Sequence, residues 1–193
     1  MVVALSVLIW ISAALDIRAE YAGARRQVYL FKPLTTGLIL LLALLPPWGA
    51  PLRYAYAVAA GLICSLAGDV LLMLPQQRFL AGLVSFLLAH VCYIIAFTAL
   101  ARWGFYPGAL LAGALLVVLT FTFVGRRAGA LRWPVMVYAL VIVTMAYSAW
   151  SCWAPLGSQR ALGGQRETLA LIGACLFVVS DEALAVNRFA RPF

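Results

Sequence analysis

Charge is what this sequence has least of. Of its 193 residues, 10% are Asp, Glu, Lys or Arg and 66% are hydrophobic, with a mean hydropathy of +1.03. An ordinary soluble domain is about half apolar and about a quarter charged. Nor is there a long polar segment able to fold alone, so no soluble appendage is expected. The expectation is one all-α polytopic bundle, a single transmembrane domain over residues 1–193.

Histidine and lysine occur once each, as His90 and Lys32. One histidine falls short of a zinc site, which takes three or four protein ligands, so no metal or other cofactor is expected. The four cysteines, Cys64, Cys92, Cys152 and Cys175, stand singly in apolar runs with no paired spacing. That pattern excludes a disulfide framework and leaves small packing residues. Met1–Leu15 has no basic n-region, so it reads as a retained first helix and not a cleaved leader.

What is present is seven apolar runs: Val2–Ile17, Val28–Leu45, Tyr54–Leu74, Phe79–Ala101, Phe105–Val124, Trp133–Trp153 and Thr168–Arg188. Each spans about 30 Å of hydrocarbon at about 1.5 Å per residue, the first by extending towards Ala22. Connectors such as Pro46-Pro47-Trp48-Gly49 and Pro155-Leu156-Gly157-Ser158 separate them, and Trp48, Trp103, Trp133 and Trp153 mark interfaces.

The net charge is +8, from thirteen arginines and Lys32 against six acids. These cations are scattered among loops and not gathered on one face, which argues against nucleic acid as a partner. Seven crossings put Arg18, Arg25, Arg26, Lys32, Arg78, Arg126, Arg127, Arg132, Arg188 and Arg191 on one side. Arg53, Arg102, Arg160 and Arg166 fall on the other. Ten against four predicts a cytoplasmic first group and an N-terminus outside. Arginine in place of lysine fits a GC-rich bacterial genome, hence an inner membrane.

Carboxylates inside such runs are costly unless partnered or functional. Asp69 lies five residues before the end of the third run, and Asp181 seven before the end of the seventh. Those two runs point the same way, so both acids are expected about 8–10 Å above the cytoplasmic helix ends. Ala57, Gly61, Ser65 and Asp69 recur every four residues, a small-residue face along which a neighbouring helix can come close. Gly82, Phe86 and His90 form a matching stripe with Tyr93 beside it. A structural carboxylate remains an alternative for Asp69, although two adjacent structural carboxylates repel unless they share a proton.

Other polar residues are less telling. Glu182 stands about 100° round the helix from Asp181 and reads as an interface-directed or loop-paired glutamate. Asp16 and Glu20 read as solvated partners of nearby arginines. Lys32-Pro33 is expected to open the second segment, with Lys32 either a snorkelling anchor or a phosphate holder.

Taken together, Lys32-Pro33-Leu34-Thr35, Ser65-Leu66-Ala67-Gly68-Asp69-Val70-Leu71-Leu72 and Gly82-Leu83-Val84-Ser85-Phe86 are followed by His90 and Tyr93. Tyr138 and Met145 then precede Gly173-Ala174-Cys175-Leu176-Phe177-Val178-Val179-Ser180-Asp181. This order resembles the YhhN-like lysoplasmalogenase family of membrane hydrolases, from about Lys32 to Pro192. Family members usually have eight membrane segments, and seven are visible here.

The resemblance implies hydrolysis of the vinyl ether bond of a lysophospholipid substrate, releasing a fatty aldehyde. It places the catalytic aspartates on Asp69 and Asp181. Lys32, Ser65, His90, Tyr93, Tyr138 and Ser180 are the expected substrate-binding residues. Acid–base chemistry by two carboxylates fits, because a vinyl ether yields to acid through an oxocarbenium ion, the problem glycosidases solve with paired acids. The alternative from another class is a proton-coupled transporter or lipid-binding membrane protein, in which the aspartates carry protons.

Overall fold

The computed structural model describes residues 1–45, 51–74, 78–100, 104–154 and 164–189. The connectors at 46–49 and 155–158 lie outside the described residues, as do Trp48, Trp103, Arg102, Arg160 and Arg191. Among the described residues there is no strand, and seven helices are long and apolar enough to cross a membrane. Hydrocarbon offers the backbone no hydrogen-bond partner, so an apolar chain of this kind satisfies its amides within helices.

The helices are α1 (Val2–Tyr21), α2 (Arg25–Leu44), α3 (Leu52–Met73), α4 (Phe79–Thr98), α5 (Pro107–Thr120), α6 (Arg132–Trp153) and α7 (Gln165–Phe189). The chain divides into two compact units, Met1–Cys92 and Tyr93–Phe193, with the division inside α4.

In the first unit α1 does extend past Ile17, as expected, and ends at Tyr21. Gly23, at φ +65°, takes the left-handed conformation that lets the chain turn straight into α2. The second helix corrects the sequence reading. It starts at Arg25, so Lys32-Pro33 does not open it but sits two turns inside. Helical hydrogen bonding carries on through the polar Arg25-Arg26-Gln27, which a hydropathy reading leaves out. Pro33 then donates nothing to the Tyr29 carbonyl four residues earlier.

Close approach defines the contact between α3 and α4. A Cβ on Gly68 would fall 2.6 Å from the Phe86 ring, and one on Gly82 would fall 2.7 Å from Leu72. Each glycine is therefore the hole that receives a large side chain of the other helix. Ser85 donates to the Cys64 carbonyl at 2.8 Å across the same contact. Cys92 and Cys64 are within electrostatic reach of each other, a proximity that sequence spacing does not suggest.

In the second unit α5 ends in a π-helical turn, Phe121–Gly125, and a 3-10 turn, Gly129–Leu131, leads into α6. Val124, Ala128 and Val135 form a buried cluster here, against which Ala185, Val186 and Phe189 of α7 pack. At its other end α7 is capped from within: the Gly164 N–H donates to Glu167 Oε2 at 3.0 Å. This is the returning half of a capping box, and it satisfies one of the helix's orphan amides.

Candidate functional site

Three helices of the first unit bring their polar residues to Asp69. Thr36 on α2 donates to Asp69 Oδ2 at 2.8 Å. Lys32 lies one turn before Thr36, on the same face of α2, and both Lys32 and Asp16 of α1 are within electrostatic reach of Asp69. Asp16 is thus no solvated surface acid, which corrects the sequence reading. It is half-buried, and its Oδ1 is shielded without a hydrogen bond among the described residues. Lys32 is thus within electrostatic reach of both carboxylates. The helix end places Asp69 four residues before Met73, about one turn in.

Ser65 and Gly68 are buried on the same side of α3. His90 is fully buried, with Nδ1 2.6 Å from the Phe86 carbonyl oxygen. A carbonyl only accepts, so Nδ1 carries the hydrogen and a neutral ring keeps Nε2 as its acceptor. The stripe of Gly82, Phe86 and His90 is buried as its spacing predicts.

The second unit carries its own acids. Tyr138 on α6 donates its phenolic hydrogen to Asp181 Oδ2. Glu182 takes a different partner, accepting from Thr120 on α5 at 2.8 Å. Adjacent on α7, the two acids thus reach different helices, as their 100° offset requires. Thr120 is the last residue before the π turn, and it also lies 2.9 Å from the Leu116 carbonyl. Its single proton serves only one of these two acceptors at a time. Asp181 is eight residues from the end of α7 at Phe189. Tyr93 packs edge-on against Phe177, with ring centroids 6.1 Å apart. Ser180 is exposed.

Sequence reasoning missed Thr36, Thr120 and the place of Asp16. The signal for the threonines was weak, since a hydroxyl in an apolar helix usually bonds its own backbone, as Thr35 does to Phe31. Among the described residues no three His, Cys, Asp or Glu side chains gather as a metal site would require.

These features define an integral membrane protein of all-α type that holds hydrogen-bonded carboxylates inside its membrane helices. The sequence profile of the YhhN family matches residues 27–193, and the chain belongs to that family. It is similar to the membrane protein YhhN of Escherichia coli O6:H1, 34% identical over 189 residues, covering 95% of this chain and 84% of that one. It is also similar to the lysoplasmalogenase TMEM86A of Bos taurus, 32% identical over 143 residues, 72% of this chain and 56% of the other. A lysoplasmalogenase of Mycobacterium bovis is 29% identical over 185 residues, 89% of this chain and 63% of its own length. No solved structure matches significantly.

Proposed function

We propose that this chain is a lysoplasmalogenase, a membrane hydrolase that converts a lysoplasmalogen and water into a fatty aldehyde and glycerophosphoethanolamine or glycerophosphocholine. The reading is supported by the placement of Asp69 and Asp181, each inside a membrane helix and each receiving a hydroxyl hydrogen bond. Relatives named lysoplasmalogenase support the substrate class.

The chemistry needs two carboxyl groups in different states. One, still holding its proton, gives it to the β-carbon of the vinyl ether, and the double bond's electrons form the new C–H bond. The oxocarbenium ion that results is stabilised by the second, ionised carboxylate, which also takes a proton from the attacking water. The hemiacetal then breaks at the carbon–oxygen bond from the former vinyl carbon to the glycerol oxygen. As it breaks, the second carboxyl gives the proton it took from water to the glycerol oxygen and the hemiacetal hydroxyl gives its own to the first, so that aldehyde and glycerol hydroxyl leave with both carboxyls restored. Thr36 and Tyr138 each fix one oxygen of their aspartate and so set the direction of the carboxyl. Lys32, within electrostatic reach of Asp16 and Asp69, balances carboxylate charge, and the lipid phosphate meets the arginines of the cytoplasmic rim. We place the chain in the inner membrane with its N-terminus outside.

The reaction is tested with purified protein and lysoplasmalogen in ¹⁸O-labelled water. Aldehyde and glycerophospho product should appear in equal amounts, with no label in the glycerol hydroxyl. Label in that hydroxyl would mean cleavage on the glycerol side and defeat the oxocarbenium route.

A further inference from the structure

The second unit contains an apolar groove of about 620 Å³, within the size range of small-molecule sites. It runs between α5, α6 and α7. On α5 its lining positions Ala109, Ala112 and Leu116 recur at helical spacing, and the next position of that series is Thr120. On α7 the lining positions Leu171, Cys175 and Val178 lead in the same way to Glu182. Thr120 and Glu182 are hydrogen-bonded to each other at 2.8 Å. The groove is therefore hydrocarbon-like along its length and continues, one turn further, onto a carboxyl–hydroxyl pair. Asp181 is one residue from that series and bonds Tyr138.

Charge continues the gradient. Beyond Thr120 the chain presents Arg126 and Arg127, then Arg132 at the start of α6, while Arg188 stands in the last turn of α7. All four are exposed. From Gly108 to Thr120 the groove-facing side of α5 extends about 18 Å at about 1.5 Å per residue. Apolar slot, carboxyl–hydroxyl pair and arginine rim thus follow one another in the order of a single-chain phospholipid: tail, ether region, phosphate.

We infer that the groove between α5, α6 and α7 binds the one hydrocarbon chain of a lysophospholipid, with its glycerol at Thr120 and Glu182 and its phosphate towards Arg126, Arg127, Arg132 and Arg188. This rests on the lysoplasmalogenase reading for the identity of the lipid. One groove takes one chain, so the site selects lysolipids over two-chain phospholipids, and its far end at Gly108 and Trp150 sets the chain length. Gly108 is the natural place to shorten it. A Cβ there meets nothing within 4 Å, whereas one on Gly113 would fall 2.6 Å from Val143 and disturb the helix contact instead.

The test uses a non-hydrolysable alkyl lysophospholipid with a diazirine at the chain terminus, photolysed with the full-length protein in nanodiscs. Labelling should map to peptides containing Gly108, Trp150 and Leu171, and should fall at least five-fold in Gly108→Leu. It should be at least five-fold weaker with a two-chain probe. Aldehyde release by Gly108→Leu should drop for long alkenyl chains and persist for short ones. Labelling spread over lipid-facing positions, or equal with the two-chain probe, would mean bulk lipid fills the groove and would overturn the inference. Groove labelling in a protein that releases no aldehyde would defeat the lysoplasmalogenase reading and leave the lipid site standing. Aldehyde release without groove labelling would do the reverse.

Discussion

A net hydrogen bond contributes about 1 kcal/mol, and for a group that aims a reacting carboxyl that energy appears in rate. Thr36→Val and Tyr138→Phe each remove one donor from an aspartate while nearly preserving shape. Both variants should lose about five- to ten-fold in kcat/KM, with folding intact by size-exclusion and helicity measurements. The glycines act through packing. A Cβ on Gly68 would press on the Phe86 ring at 2.6 Å, so Gly68→Ala should cost about 1–3 kcal/mol of stability, read as a lowered unfolding temperature in detergent. An unchanged Tm would show that the Phe86 ring moves aside freely.

Among the elements, the two helix starts show what governs boundaries. The start of α2 is drawn from polar residues, and its placement at Arg25 follows from backbone hydrogen bonding, which hydropathy does not measure. The start of α7 depends on the Glu167 carboxylate returning to the Gly164 amide. Glu167→Ala should therefore lower the Tm by the equivalent of about 1 kcal/mol, and Glu167→Gln, which can still accept that bond, should recover part of it. Equal losses for the two would assign the effect to the charge and not to the cap. The π turn after Thr120 was not legible in the sequence at all. Nothing in Phe121–Gly125 distinguishes it from α-helix, and its Val124 packs in a buried cluster with residues of α6 and α7.

At the scale of the whole molecule, the seven spans were legible because a chain this apolar has few alternatives to membrane helices. The Gly82–Phe86–His90 stripe was legible for the same periodic reason. The partners of the acids were not. Thr36 is 33 residues from Asp69, and Thr120 is 62 residues from Glu182, distances over which spacing carries no register. Nor was the groove, since a Gly- and Ala-rich helix such as α5 reads as uniformly apolar whichever side is hollow. Topology is open to direct measurement. With arginine-rich segments inside, a cysteine at Ala130 should react with a membrane-impermeant maleimide only after cells are opened. Labelling in intact cells would invert the orientation.

Whether Asp69 and Asp181 both carry the reaction is decided by aldehyde release from lysoplasmalogen in Asp69→Asn and Asp181→Asn. Asparagine keeps the shape of each side chain and removes its acid–base capacity. Activity should fall about 10²–10⁴-fold in each variant, with the Tm of both close to that of the unaltered protein. Either variant, folded, retaining more than about a tenth of the activity would contradict it.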